Sequence, residues 1–185
     1  MSTTYIDKGA VISKCGCYRY RLWREWRGPH DPKHWSWSIG VPRFGTPKAC
    51  VFVMLNPSTA DGRYDDATIR NCVGLAQAWS YERLEVVNLF AYRATDPRQI
   101  MALDLDTAVG PDNRDWVEKT LENAGLVICA WGNHGSYLGQ DQTMLGWLDS
   151  VKTFCLGLTS SGNPRHPLYM PRDLVLRRFN PKVIL

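Results

Sequence analysis

Apolar residues run unbroken over positions 50–55, and the run stops at Asn56-Pro57-Ser58-Thr59-Ala60-Asp61. A stretch with no polar alternation reads as a strand buried on both faces, the habit of parallel sheets. Pro57 cannot continue such a ladder, so the strand ends there. Residues 84–89, 126–130 and 153–158 read as a second, third and fourth strand. Between the first two, Ile69, Cys72, Val73, Ala76 and Trp79 fall on one face of a helix, with Asp65 or Asp66 placed to cap its start. A second helix is expected over 116–122, with a short one before it near 99–103. A third covers 144–151, and a loop over 159–171 leads to a short terminal helix.

The opening of the chain has a different period. Tyr18, Tyr20 and Leu22 alternate with Arg19, Arg21 and Trp23, which marks a half-buried antiparallel hairpin over 10–26, turning at Lys14-Cys15-Gly16-Cys17. A loop over 28–32, another strand over 35–41 and a turn over 42–47 are expected to follow. Alternating strands and helices imply right-handed crossovers and a mainly parallel sheet with helices on both faces. The expected fold is therefore α/β: three layers, α/β/α, around a central, mainly parallel four-stranded sheet, plus an N-terminal antiparallel hairpin. The chain reads as a single domain over 1–185, with 1–48 as the hairpin extension and 49–185 as the α/β core.

Each of the four strands ends in a polar signature. These are Asn56-Pro57-Ser58, Asn88-Leu89-Phe90-Ala91-Tyr92-Arg93, Trp131-Gly132-Asn133-His134 and Gly157-Leu158-Thr159, the last leading to Arg165-His166-Pro167. In a parallel sheet these tips lie on one edge, where open α/β sheets bind their ligands.

Composition adds modest constraints. The 185 residues are 44% hydrophobic and 22% charged, ordinary values for a globular domain. Trp is abundant at eight, and Trp23, Trp26, Trp35, Trp37 and Trp79 serve either core and hairpin packing or stacking on a base. The net charge of +4 permits an anionic partner without demanding one. Arg19, Arg21, Arg24 and Arg27, and later Arg172, Arg177, Arg178 and Lys182, form basic clusters that read as solvated faces or as phosphate contacts. Cys50, Cys129 and Cys155 lie in apolar runs as small hydrophobes, and Cys15-Gly16-Cys17 lacks the spacing and second pair of a zinc site. Neither a signal peptide nor a membrane-length run is read, so a reducing cytoplasm is the expected location and no membrane partner is expected.

The tips offer specific chemistry. Asn56 and Asn88 are either turn caps or amides able to read a base edge or hold a water. His166, in a Gly- and Pro-rich loop, either bonds a nearby carbonyl or donates to an oxyanion leaving group. His134 either covers a ligand or caps a helix, and Asp61 is either a general base or a cap. Arg93 and Arg165 suit phosphates or surface ion pairs. There is no phosphate-binding Walker loop, no dinucleotide fingerprint, no Gly-x-Ser-x-Gly elbow, and no His grouped for a metal.

The segments Met54-Leu55-Asn56-Pro57-Ser58-Thr59-Ala60-Asp61, Asp66-Ala67-Thr68-Ile69-Arg70, Val87-Asn88-Leu89-Phe90-Ala91-Tyr92-Arg93-Ala94-Thr95, Ala130-Trp131-Gly132 and Arg165-His166-Pro167-Leu168-Tyr169 resemble the bacterial and phage family known as domain of unknown function 1643. The opening Tyr18-Arg19-Tyr20-Arg21-Leu22-Trp23 resembles it too. More distantly, the motif order is similar to the uracil-DNA glycosylase superfamily. That resemblance implies hydrolysis of an N-glycosidic bond, with Asn56-Pro57 positioning water, Asn88 reading the base, and His166 supporting the departing base. Pro57, Ser58, Thr59, Phe90, Trp131, Gly132 and His134 would line the base site, and Arg93 and Arg165 would meet phosphates. DNA or a nucleotide is the implied partner, no metal or organic cofactor is called for, and no oligomeric state follows. The chain departs from the superfamily at Leu168-Tyr169, where Ser usually follows His-Pro, and at Met54-Leu55, where Gly often precedes Asn-Pro. Two alternatives stand beside this reading: an enzyme acting on a modified base or free nucleotide, and a non-catalytic nucleobase or nucleotide binder.

Overall fold

The computed structural model describes residues 3–27, 48–58, 60–168 and 170–179. The expected strand over 35–41, its flanking loop and turn, and Thr59 lie outside the described residues.

The long apolar runs form the centre of the sheet. β3 (Ala49–Met54) is buried at every position, as is β4 (Arg83–Asn88). β3 pairs in parallel with β4 on one side and with β5 (Ala124–Cys129) on the other, and β5 pairs in parallel with β6 (Thr153–Cys155). Successive residues of β3 serve opposite faces. Ala49, Val51 and Val53 join a core cluster with Val117, Met144 and Leu148, while Cys50, Phe52 and Met54 join another with Ile69, Cys72 and Leu75. The second cluster is covered by α1 (Ala67–Ala78), whose buried stripe includes Ile69, Cys72, Val73 and Ala76. Asp66 caps that helix by accepting from the Ile69 N–H at 2.8 Å. On the other face lie α2 (Pro97–Ile100), α3 (Leu105–Val109), α4 (Asn113–Leu121) and α5 (Gln140–Trp147), contributing Ile100, Ala108, Val117 and Met144.

The hairpin departs from expectation. β1 (Tyr5–Ile12) and β2 (Arg19–Trp26) pair antiparallel, and β2 continues into the main sheet by pairing antiparallel with β4. In the described part of the tail a two-residue strand, β7 (Arg177–Arg178), pairs antiparallel with β6, and no helix forms among the described residues 172–179. The four-stranded sheet with a separate hairpin is thus replaced by one mixed seven-stranded sheet, ordered β1-β2-β4-β3-β5-β6-β7. A buried charge cluster reinforces the β2–β4 junction. Arg21 donates twice to Glu85 at 2.6 Å, and Arg83 donates to Glu85 at 2.8 Å and also to Glu25. Glu85 is only 1% exposed, yet both its oxygens are paired, which is the condition for burying a carboxylate.

The basic cluster near the start is also placed differently. Arg19 and Arg24 are fully buried, neither solvated nor free to meet phosphate. Arg24 stands between inward-facing Leu22 and Trp26 at period two. Arg19 reaches the same side because β2 carries an extra residue, Tyr20, where the register with β1 shifts. Trp26 and Trp131 are core residues, and Trp79 stacks on Phe52 at 6.3 Å between ring centres. Cys50, Cys72, Cys129 and Cys155 are buried, whereas Cys15 and Cys17 are exposed. Among the described residues, no helix is long and apolar enough to cross a membrane.

Candidate functional site at the carboxyl edge of the sheet

Because β4, β3, β5 and β6 are parallel neighbours, their carboxyl ends stand side by side. Hydrogen bonds continue past the strands and join the tips. Leu89 and Phe90 N–H donate to Met54 and Leu55 carbonyls, each at 2.9 Å, and Ala130 N–H donates to Val53 at 2.8 Å. Farther out, Ala94 N–H donates to Pro57 at 2.9 Å and Gly132 N–H to Pro164 at 2.8 Å. Asn56, Asn88, Gly132 and Arg165 therefore belong to one rim.

The loop after β3 is held from beneath by the two buried arginines. Arg19 Nη1 donates to the Ala60 carbonyl at 2.6 Å. Arg24 donates to the Asp61 carbonyl at 2.6 Å, the Asp65 carboxylate at 2.7 Å and the Trp23 carbonyl at 2.8 Å. Burial pulls the Arg19 guanidinium down to about 10, so it stays charged at neutral pH. Within this loop Asn56 Nδ2 donates to the carbonyls of Pro57 at 3.0 Å and Ala94 at 2.7 Å. That fixes the amide plane and leaves Oδ1 as its free end among the described residues. Asp61 closes a turn, its carboxylate accepting from Arg63 N–H at 2.7 Å and Tyr64 N–H at 2.9 Å. Those two bonds hold its pKa below the usual carboxylate value. Pro57 is buried and Ser58 half-buried in the same loop.

At the tip of β4, Asn88 is fully buried, and neither its Nδ2 nor its Oδ1 has a partner. Its backbone is well served, because Asn113 Nδ2 donates to the carbonyls of Asn88 at 3.0 Å and Leu89 at 3.2 Å. The side chain is the anomaly. Native structures rarely leave a buried amide without partners, and each bare group costs about 1–3 kcal/mol. Arg93 donates to the Gly16 carbonyl at 3.2 Å, tying this tip to the hairpin turn, while its buried Nε is unpartnered.

The remaining candidates divide. Phe90 and Trp131 point into the core, where Phe90 meets Tyr137 and Trp131 meets Phe179 edge-on at 5.7 Å. Gly132 has φ 72°, a left-handed conformation that suits glycine, and it begins a 3-10 helix (Asn133–Gly139) on which His134 is exposed. Arg165 Nε donates to the Leu158 carbonyl at 2.9 Å. His166 Nδ1 accepts from Leu168 N–H at 3.3 Å, which leaves the proton of the neutral ring on Nε2. Although His166 is exposed, partial desolvation by neighbouring protein pulls its pKa below the ordinary value, with the charge of Asp66 opposing the fall. Asp66 acts electrostatically on Arg19 as well.

His166 is expected to titrate below about 6.5, its unperturbed value. In Asp66→Asn the midpoint drops further, since asparagine keeps the helix cap but removes the charge. The unfolded chain then binds the extra proton between the two pKa values, so this residue's contribution to stability declines as pH falls through that window. Imidazole NMR titration checks both midpoints, and an unchanged midpoint in Asp66→Asn contradicts an electrostatic effect of Asp66 on this ring.

The buried pair Arg19 and Arg24, together with Asn113, shape this edge without having been read as site residues. For Arg24 the signal was present, as an arginine between two inward-facing apolar positions. For Arg19 the register shift hides it. Among the described residues, no group of three or more His, Cys, Asp or Glu could hold a metal.

Fold and edge together define an α/β protein with a mixed sheet whose parallel strands present a polar rim. The chain belongs to the family described as protein of unknown function (DUF1643), whose profile matches residues 19–168. No curated protein and no solved structure matches it.

Proposed function

We propose that this chain recognises a nucleobase at the carboxyl edge of its sheet and hydrolyses the N-glycosidic bond of a damaged or modified base in DNA. The observation that carries this reading is the Asn88 amide, fully buried with both atoms unpartnered. An amide presents a donor beside an acceptor, the complement of a base edge that presents the reverse. A base seated there supplies the missing bonds. The target nucleotide is flipped from the stack or taken from a single strand. Asn56, its Nδ2 anchored, offers Oδ1 to the attacking water. His166 donates from Nε2 to the departing anionic base, and Arg93 and Arg165 meet phosphates. The reading extends to the architecture, assigning the sheet and its helices to the three-layer α/β/α arrangement of uracil-DNA glycosylases. As written, the reaction uses no metal or organic cofactor.

Incubation with DNA carrying a panel of damaged and hypermodified bases, followed by mass spectrometry of released nucleobases, tests it. The expected result is release of one base class by the wild-type chain and none by Asn88→Ala. No release from any substrate sinks the catalytic reading.

One observation favours a second reading, a non-catalytic nucleobase or nucleotide binder. The Asp61 carboxylate is committed to its turn, so the acid nearest Asn56 in the loop is not free to act as a base. A binder gives saturable nucleotide affinity without turnover. Affinity that falls steeply with salt marks DNA, and a shallow dependence marks a free nucleotide or modified base as ligand.

A further inference from the structure

A cavity of about 300 Å³ opens between the start of β1 and α1, and Arg172 reaches into its lining. Its lining includes Tyr5, Asp65, Arg70, Gly74 and Arg172. The charge there is unbalanced. Asp65 is the only carboxylate among the described lining residues, and both its oxygens are engaged. The Tyr5 hydroxyl donates to Oδ2 at 2.5 Å, and Arg24 donates to Oδ1 at 2.7 Å. Arg70 gives one N–H to the Asp65 carbonyl at 2.7 Å. Among the described residues, neither Arg70 nor Arg172 has a carboxylate within ion-pair distance.

Gly74 makes room for Arg172 in this lining. Arg70 and Gly74 are four residues apart and share one face of α1. A methyl group at position 74 would lie 2.5 Å from Arg172 Nε and 2.6 Å from its Cζ, so the guanidinium occupies the space a side chain would fill. A glycine inside a helix costs roughly 1 kcal/mol against alanine. Here it opens room for a second positive group in the cavity that Arg70 also lines. The segment that delivers Arg172 is anchored to the same helix, since Asn71 Nδ2 donates to the carbonyls of Pro167 at 2.5 Å and Met170 at 3.2 Å. Two guanidinium groups lining one cavity, neither paired with a carboxylate among the described residues, match an anion that carries several acceptor oxygens.

We infer that this cavity is a phosphate-binding subsite in which Arg70 and Arg172 together hold one phosphate group. The inference is independent of base recognition at Asn88. The phosphate belongs either to a nucleic-acid backbone or to a free phosphate ester, and the experiment separates the two.

Inorganic phosphate, and then a single-stranded oligonucleotide, are titrated into the wild-type chain, Arg172→Ala and Gly74→Ala, with binding read by NMR shifts and calorimetry. Wild type binds inorganic phosphate saturably, and each variant weakens that binding at least tenfold. Gly74→Ala is the sharper probe, because it displaces only the flexible end of Arg172 and its helix propensity maintains or raises Tm. If the subsite serves a nucleic-acid backbone, both variants also weaken oligonucleotide binding and reduce its salt slope by about one phosphate contact. If it serves a free ester, oligonucleotide binding is unchanged while phosphate binding is lost. Absence of saturable phosphate binding, or equal affinity in all three proteins, overturns the inference. Base release plays no part in this readout, so its failure is distinct from failure of the glycosylase reading.

Discussion

Replacing Arg24 with methionine is expected to destabilise the fold by about 3–5 kcal/mol, the cost of breaking a buried ion pair from one side. The guanidinium is fully buried and bonds the Asp65 carboxylate and the carbonyls of Trp23 and Asp61. Methionine fills similar space but restores none of these bonds. Asp65 is left with the Tyr5 hydroxyl alone, and the loop carbonyls lose their donor. The loss concentrates in the segment over 60–66, which joins the Asn56 loop to α1, so the base binding proposed for the rim falls with stability. Urea unfolding measures the effect as a lower midpoint at unchanged slope. Hydrogen exchange over 60–66 should accelerate beyond the rest of the chain. A change under about 1 kcal/mol would show that the arginine is not what holds this loop.

The same arginine shows which parts of the structure can be read from the sequence. β3 was legible because a continuous apolar run stopping at Asn56 marks a strand covered on both faces, and β4 because Leu84, Val86 and Val87 lead to Asn88 in the same way, a local signal. α1 was legible because its apolar stripe and the Asp66 cap agree. Antiparallel attachment of β2 to β4 was not, because a half-buried alternating strand looks the same in a free hairpin and at the side of a sheet. The charges that cement this junction, Arg21, Arg83, Glu25 and Glu85, are scattered along the chain and acquire meaning only once paired. β7 was not legible because a two-residue strand carries no periodicity. At the rim, the polar tips could be listed from sequence, but their states could not. Asn56 with its Nδ2 anchored, Asp61 folded into a turn, Phe90 and Trp131 turned inward, and Asn88 buried bare are consequences of long-range packing.

Asn88→Leu is expected to move stability and binding in opposite directions. Leucine has the same branching as asparagine and carries no polar atoms, so the two unpartnered groups and their penalty vanish together. Neighbours on this face are apolar at Met54 and Val86, so added aliphatic volume is chemically matched. The expected gain is about 1–3 kcal/mol, reduced if the larger side chain strains the packing. At this chain length each kcal/mol corresponds to roughly 2–4 °C in Tm. Nucleobase or nucleotide binding, by contrast, disappears, because the bare amide is the feature that a base edge would satisfy. A residue that costs stability and confers recognition is the signature of a site maintained for its ligand. Calorimetric melting alongside nucleotide titration reads both quantities on one preparation. A leucine variant that is less stable by more than about 1 kcal/mol would mean the amide is already satisfied within the fold, for example by a buried water, and base recognition at Asn88 would then lose its foundation.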